Sequence, residues 1–304
     1  MPVSLNFTGG SLPSGVTFAR STGATRFDSS GNLETVAVDA PRFDYNPVGL
    51  APLGIIVEPS GSNSMEDGTS LPYTLFQGTR TANAAASPAG TTTATLFRTN
   101  STSLASFYWT GHTSVSGNQV WSFSVYLKAE LRSVCQLHWS TASDGDGSNI
   151  TIDLAAGTIT GNTVFGNGSY VSSSILSVGN GWYRVTITGI LSWATVTPFP
   201  SIVLPAGATN QGIYCYGAQS ENRNPASTFI PTGSAGTTRA ADQLTFTIPS
   251  GTTTLIYTFD DNSTQEVAVS AGAYTVPTNL NRARIKTITE PGAARKAPRH
   301  TFWL

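Results

Sequence analysis

Apolar and polar residues alternate along most of this chain with a period of two rather than a helical period. Trp121, Phe123, Val125 and Leu127 alternate with Ser122, Ser124, Tyr126 and Lys128, the pattern of a strand with one buried face. Cys135, Leu137 and Trp139 alternate with Val134, Gln136 and His138, which sets the first three toward a core and the histidine outward. The same reasoning predicts strands at Ile150–Leu154, Tyr183–Ile187, Ile202–Leu204 and Ile213–Gly217, with turns at Asp144–Ser148, Ala155–Gly157 and Gly179–Gly181. Ala82–Ala89 comes nearest to a helical stretch, but Pro88 interrupts it and Thr-rich sequence flanks it, so it reads as loop. Short strands, Gly/Asn turns and a lack of crossover helices predict an all-β fold, an antiparallel β-sandwich.

Four zones follow from the pattern. Residues 1–70 are irregular and rich in Pro and Gly, with extended pieces at Leu33–Val38 and Gly54–Glu58, and read as an attachment segment. Residues 71–240 form the sandwich. Residues 241–289 read as a small β unit with strands at Leu244–Ile248, Leu255–Phe259 and Glu266–Val269, too few to stand without a neighbour. Residues 290–304 read as a basic arm. Six of the chain's 16 Lys and Arg (Arg282, Arg284, Lys286, Arg295, Lys296 and Arg299) fall between Asn281 and Leu304, where the chain ends in Phe302, Trp303 and Leu304. An extended basic segment with aromatic anchors suits docking onto an acidic neighbouring subunit.

Composition narrows the class. Over 304 residues, 39% are hydrophobic and only 11% charged, well below the usual ~25%, so hydroxyls and amides solvate the surface. A net charge of -1 argues against a nucleic-acid-binding body, which needs a basic face. Cys135 and Cys215 do not make a disulfide framework and read as two buried free thiols, as suits synthesis in a reducing cytoplasm. No basic stretch followed by an apolar run opens the chain, and no run approaches ~18 apolar residues, so neither a secretory leader nor a membrane span is expected.

The run TFARSTGATRFDSSGNLETVAVDAPRFDYNP from Thr17, followed by LGIIVEP and Asn63, resembles a segment of bacteriophage virion proteins of the head spike, head fibre or tail fibre type. WSFSVYLKAE, GNGWYRVTITG, GIYCYGAQSE, ASTFIPT and TTRAAD resemble the domain that follows it there, a jelly roll similar to carbohydrate-binding modules and lectins. The resemblance spans residues 16–242. It implies a structural protein on the particle exterior, made in the host cytoplasm: a capsid decoration or short head spike, with a tail fibre or collar adhesin as the alternative. It also implies capsid or other virion proteins as partners, a homo-oligomer (a trimer by analogy) and adhesion to host surface glycans.

Recognisable catalytic chemistry is sparse. His112, His138 and His300 are scattered, and no GxSxG elbow, HExxH zinc site, P-loop or GxGxxG turn occurs. The close carboxylate pairs Glu66/Asp67, Asp144/Asp146 and Asp260/Asp261 sit in turn-like sequence, where solvated acids are the rule, so a polysaccharide depolymerase is the weakest reading. The chain is accordingly expected to be non-catalytic, without a cofactor. Asp144 and Asp146 hint at a calcium loop, although Asn149 and Ala155 stand where an EF-hand has Gly and Glu. For glycan recognition the candidates are Tyr108, Trp109, Trp182, Trp193, Tyr214 and Tyr216, whose rings offer faces for sugars. Consecutive Phe107, Tyr108 and Trp109 on a strand must face both ways.

Overall fold

A computed structural model of the chain describes residues 2–65, 73–109, 112, 115–141, 145–192, 195–233 and 235–292. Among the described residues every regular element is a strand and no helix occurs, and the paired strands run antiparallel, as the alternation predicts. The chain divides into two units.

The larger unit comprises Ser30–Glu34 and Gly61–Arg239. It holds two six-stranded sheets. The front sheet runs in the order Ser169–Ser177, Trp182–Ile190, Val120–Ala129, Gly212–Glu221, Thr92–Thr99, Gly78–Ala86. The back sheet runs Thr158–Phe165, Gly147–Asp153, Val134–Ser140, Ser201–Leu204, Ala105–Trp109, Tyr73–Phe76. The inward residues of both sheets share one core. Phe97, Trp121, Phe123, Val125, Leu127, Val185 and Ile187 come from the front, and Phe107, Trp109, Leu137, Trp139, Ile150, Ile152 and Ile202 from the back. Rings meet between the sheets: Phe97 stacks on Phe107 with centroids 4.3 Å apart, and Trp109 meets Phe123 edge-on at 5.3 Å. Each such ring contact adds about 0.5–1.5 kcal/mol beyond area burial.

Gly78–Ala86 contains most of the stretch that reads as loop from the sequence. It is an edge strand, paired only with Thr92–Thr99. Its alternation is missing because neither face is well buried, and because Asn83 in the left-handed region (φ 51°) and two register shifts break the period. Cys135 and Cys215 enter the core from opposite sheets as free thiols, and burial pushes the Cys135 thiol up to about 12. The strands by which the chain enters and leaves this unit, Gly61–Asn63 and Thr237–Arg239, pair with each other. Asn63 is buried and uses its whole amide: Nδ2 donates to the carbonyls of Ala218 and Ile230, and Oδ1 accepts from the backbone of Met65 and Ser220.

The smaller unit gathers Met1–Ser29, Thr35–Ser60 and Ala240–Leu304. Most of zone 1–70 and zone 241–289, set apart in the sequence reading, therefore share one core. Its main sheet runs Thr264–Ala268, Thr254–Phe259, Arg284–Thr289, Pro52–Ile56, Phe43–Tyr45, with Ser4–Asn6 also on Arg284–Thr289. A second sheet joins Thr17–Ala19, Gln243–Ile248 and Gly272–Thr275. Phe7, Ile55, Val57, Leu244, Leu255, Tyr257, Phe259, Ile285 and Ile288 pack together from both ends of the chain. Local periodicity shows that the 241–289 unit needs a neighbour but carries no information on which long-range partner that is.

The basic residues before Glu290 belong to this body and not to a docking arm. Arg284 pairs with Asp44 at 2.5 Å, the Lys286 ammonium donates to the Asp260 carbonyl and Asn262 Oδ1, and Arg282 pairs with Asp260 and Asp261. They flank the apolar residues of an interior strand, so their charge is spent within the fold. Arg295, Lys296, Arg299, Phe302 and Trp303 lie outside the described residues.

The smaller unit also contains a buried ionic cluster. Asp242 accepts Arg20 Nη1 at 3.1 Å on one oxygen; on the other it accepts Arg42 Nη2 and, at 2.9 Å, the backbone N–H of Glu58. Arg42 also reaches Glu58 Oε2 at 3.0 Å, and Arg20 donates to the carbonyls of Thr22, Ala37 and Ala40. Burial opposes the Arg42 charge, but the neighbouring Glu58 and Asp242 hold its guanidinium above the ordinary arginine range.

Two predictions follow. Asp242→Ala removes the buried carboxylate that Arg20 and Arg42 share and is expected to cost about 3–5 kcal/mol in denaturant unfolding, whereas Asp261→Ala at the exposed pair leaves the midpoint unchanged. Under native conditions at pH 8 neither cysteine takes up a maleimide; both do after denaturation, as intact mass will show.

Candidate functional site

The side of the back sheet turned away from the shared core carries the chemistry, with Ser201 and His138 buried on it. Core residues on its strands alternate with Tyr108, Ser201, His138, Asn149 and Thr163, and strand register sets these five side by side: Tyr108 opposite Ser201, Ser201 opposite His138, His138 opposite Asn149, Asn149 opposite Thr163. The row crosses five strands, about 19 Å at the usual strand spacing. A second row places Ser106, Val203, Gln136, Thr151 and Gly161 beside it.

The face is preorganised by its own hydrogen bonds. His138 Nε2 and Gln136 Oε1 are 3.1 Å apart, and Gln136 Nε2 donates to Thr151 Oγ1 at 3.3 Å. Phe165 flanks the histidine, with ring centroids 5.9 Å apart. Tyr108, Gln136 and Thr151 are half-buried, while His138, Asn149 and Ser201 form a deeper floor. On that floor the Ser201 hydroxyl and Asn149 Oδ1 are buried with no hydrogen-bond partner among the described residues. An unmade hydrogen bond at a buried polar atom costs about 1–3 kcal/mol, so a ligand or water that supplies the partner recovers it. The face thus presents hydroxyls, amides and an imidazole in fixed positions, with aromatic rings at the margin.

Strand phase divides the sequence candidates. Tyr108 faces outward in the row. Trp109 points into the core and Trp182 is buried with its Nε1–H on the Ala86 carbonyl at 3.1 Å, so neither ring is available to a sugar. Tyr214 and Tyr216 are half-buried on the outer side of the front sheet, and Trp193 lies outside the described residues. The five described candidates do not converge. The outward phase of Gln136 and His138 is legible in the sequence; Ser201, Asn149, Thr151 and Phe165 join them only through register.

Asp146 is engaged by the backbone. Its Oδ1 accepts the Asn167 N–H at 2.5 Å, and its own N–H donates to Thr141 Oγ1. Gly166 and Gly168 make this possible: a Cβ at Gly166 would lie 2.1 Å from Asp146 Oδ1, and one at Gly168 only 2.4 Å from the Gly147 nitrogen. The acid-and-glycine pattern is therefore accounted for by two turns in close contact. Asp144 lies outside the described residues, and among the described residues no three His, Cys, Asp or Glu side chains gather as a metal site. His112 is a core residue, with Nε2 2.9 Å from Ser220 Oγ and its ring against Trp121 and Trp139.

No protein-family model matches the chain, and no curated protein matches it in sequence. Two solved structures are similar in fold. One is the enzymatically active domain of tailspike protein 4 of bacteriophage CBA120, with 10% identity and a TM-score of 0.31, covering 52% of this chain; the chain spans 21% of that protein's length. The other is the CBM22-1 xylan-binding domain of Paenibacillus barcinonensis Xyn10C, with 16% identity and a TM-score of 0.30, covering 54% of this chain and 94% of that one. The expectation of a non-catalytic chain is corrected to this extent: the first of these structures is an enzymatically active domain.

The two neighbouring aromatics should separate in mutagenesis. Trp109→Ala empties a core position and is expected to cost about 3–5 kcal/mol; Tyr108→Ala should cost well under half of that in the same unfolding titration.

Proposed function

We propose that this chain is a protein of the phage particle exterior, a capsid decoration or short head spike, that holds host-surface glycans on the back sheet. The carrying observation is the recessed row Tyr108–Ser201–His138–Asn149, with its two unpartnered buried acceptors. Sugars are dense in hydroxyls that donate and accept at once, and a floor of amide, imidazole and hydroxyl groups matches them. Tyr108 and Phe165 supply ring faces. The back-sheet strands contain no Lys or Arg, so the matching ligand is a neutral saccharide.

The resemblance over residues 16–242 supports the placement on a particle. Repetition there makes weak sugar contacts effective, since linked copies bind with an effective concentration that a single site lacks. The back row needs only modest affinity for such a role.

Titration calorimetry of the full chain against neutral polysaccharides from the host envelope tests the reading. Binding is expected for the native protein, and a loss of about tenfold, equivalent to about 1.4 kcal/mol, for Tyr108→Ala/Gln136→Ala at a temperature where its melting curve shows it fully folded. Silence of the native protein across the panel, or equal binding by the variant, would sink the assignment. Reducing ends counted in the same samples report whether the bound polymer is also cut.

A further inference from the structure

The two sheets of the larger unit differ sharply in charge. Arg80, Arg98, Lys128 and Arg184 all lie on front-sheet strands, whereas the back-sheet strands hold a single charged residue, Asp153. With a net charge of -1 for the whole chain, this is a segregation of charge and not the spill-over of a basic protein.

Lys128 and Arg184 occupy adjacent strands and face outward. Register sets Arg184 beside Tyr126 and Tyr126 beside Tyr216; in the next row it sets Trp182 beside Lys128 and Lys128 beside Tyr214. Each of the two cations therefore has a ring beside it across the sheet. Arg184 is held in place, with its guanidinium carbon 5.7 Å from the Tyr126 ring centroid and Nη2 donating to Ser124 Oγ at 3.0 Å. Such prior ordering reduces the entropy lost when a carboxylate arrives.

The other half of this face is roofed. Ser122 Oγ donates to the Arg223 carbonyl, Ser227 Oγ to Glu221 Oε1, and the Ile230 N–H to Gln219 Oε1, which lays residues 223–230 across it. Phe229 forms the border, packed against Tyr126 and Tyr216. Gly217, in the left-handed region (φ 62°), permits this, because a Cβ there would press on the Tyr126 and Phe229 rings at 3.1–3.2 Å. Glu221 is buried under the roof with both oxygens hydrogen-bonded. On the open side Glu130 is held by Arg98 at 2.7 Å. Lys128, Arg184, Tyr214 and Tyr216 remain half-buried there.

We infer that the open half of the front sheet binds an acidic polysaccharide, with uronate carboxylates at Lys128 and Arg184 and pyranose faces on Tyr214 and Tyr216. Arginine forks onto a carboxylate through two parallel hydrogen bonds, and charge assistance makes these about twice as strong as neutral ones. On the back face the same carboxylate would lose hydration without gaining a cation. The inference extends the reading of the chain as glycan-binding, but uses the opposite sheet and a different ligand class.

The test is biolayer interferometry of the full chain on polygalacturonate and on its methyl ester. The native protein is expected to favour the free acid and to weaken as salt rises. Lys128→Gln/Arg184→Gln should bind the acid at least about tenfold less tightly, a step of about 1.4 kcal/mol, with unchanged melting, and Lys128→Arg should retain binding. Equal binding of acid and ester by the native protein, or undiminished binding by the double glutamine variant, overturns the inference. So does loss of acid binding in Tyr108→Ala/Gln136→Ala, which would put the acid on the back face. Binding to polygalacturonate with silence on neutral polymers leaves this inference standing while it removes the back-face reading.

Discussion

The smaller unit depends on the carboxylate of Asp242. It takes guanidinium groups from Arg20 and Arg42, which lie 222 and 200 positions earlier in the chain, and fastens the Glu58 backbone as well. Gly61–Arg239 is inserted between the segments so joined. Closing a loop of that length costs entropy that grows only slowly with its size, so the arrangement is affordable. An ion pair sealed from water is nevertheless a poor source of net stability, because desolvation offsets most of the attraction. Its use here is selectivity. Asp242 placed anywhere else takes from Arg20 and Arg42 the carboxylate they share, leaving Arg42 with Glu58, and alternative pairings of Gln243–Ile248 with Thr17–Ala19 are thereby penalised.

This gives a physical meaning to the residues that carry the phage resemblance. Arg20, Arg42, Glu58 and Asp242 form the cluster, and Asn63 pins the first strand of the inserted unit onto its neighbours. In sequence these look like polar residues of an irregular segment. The available signal is compositional: a chain with only 11% charged residues concentrates several of them between Arg20 and Glu58. A charge retained where charge is rare is a candidate for a buried partner.

Much of the sandwich is legible from alternation alone. The inward set Cys135, Leu137, Trp139 and the outward Gln136 and His138 follow from a period of two, and both hold. What alternation lacks is the identity of the neighbouring strand. His138 reads as an isolated histidine until register brings Ser201 and Asn149 to its sides. Trp109 and Trp182 illustrate the converse: aromatic character suggests sugar stacking, but strand phase and the Ala86 carbonyl commit both rings to the interior. Arg282, Arg284 and Lys286 count as a basic tail in sequence, yet the apolar Ile285 and Ile288 among them draw that stretch into a sheet.

The pairing of Gly61–Asn63 with Thr237–Arg239 has an evolutionary consequence. Gly61–Arg239, the stretch that makes up most of the larger unit, begins and ends on neighbouring strands, about 4.8 Å apart at ordinary sheet spacing, and so both of its ends meet the rest of the chain at one place. Any domain whose ends lie equally close can occupy that position without altering the length or path of the segments that build the other unit. Recombination at these two junctions exchanges one folded module for another while Arg20, Arg42 and Asp242 continue to meet. A change at such a socket arrives as a whole folded cassette instead of by successive point changes in a packed core.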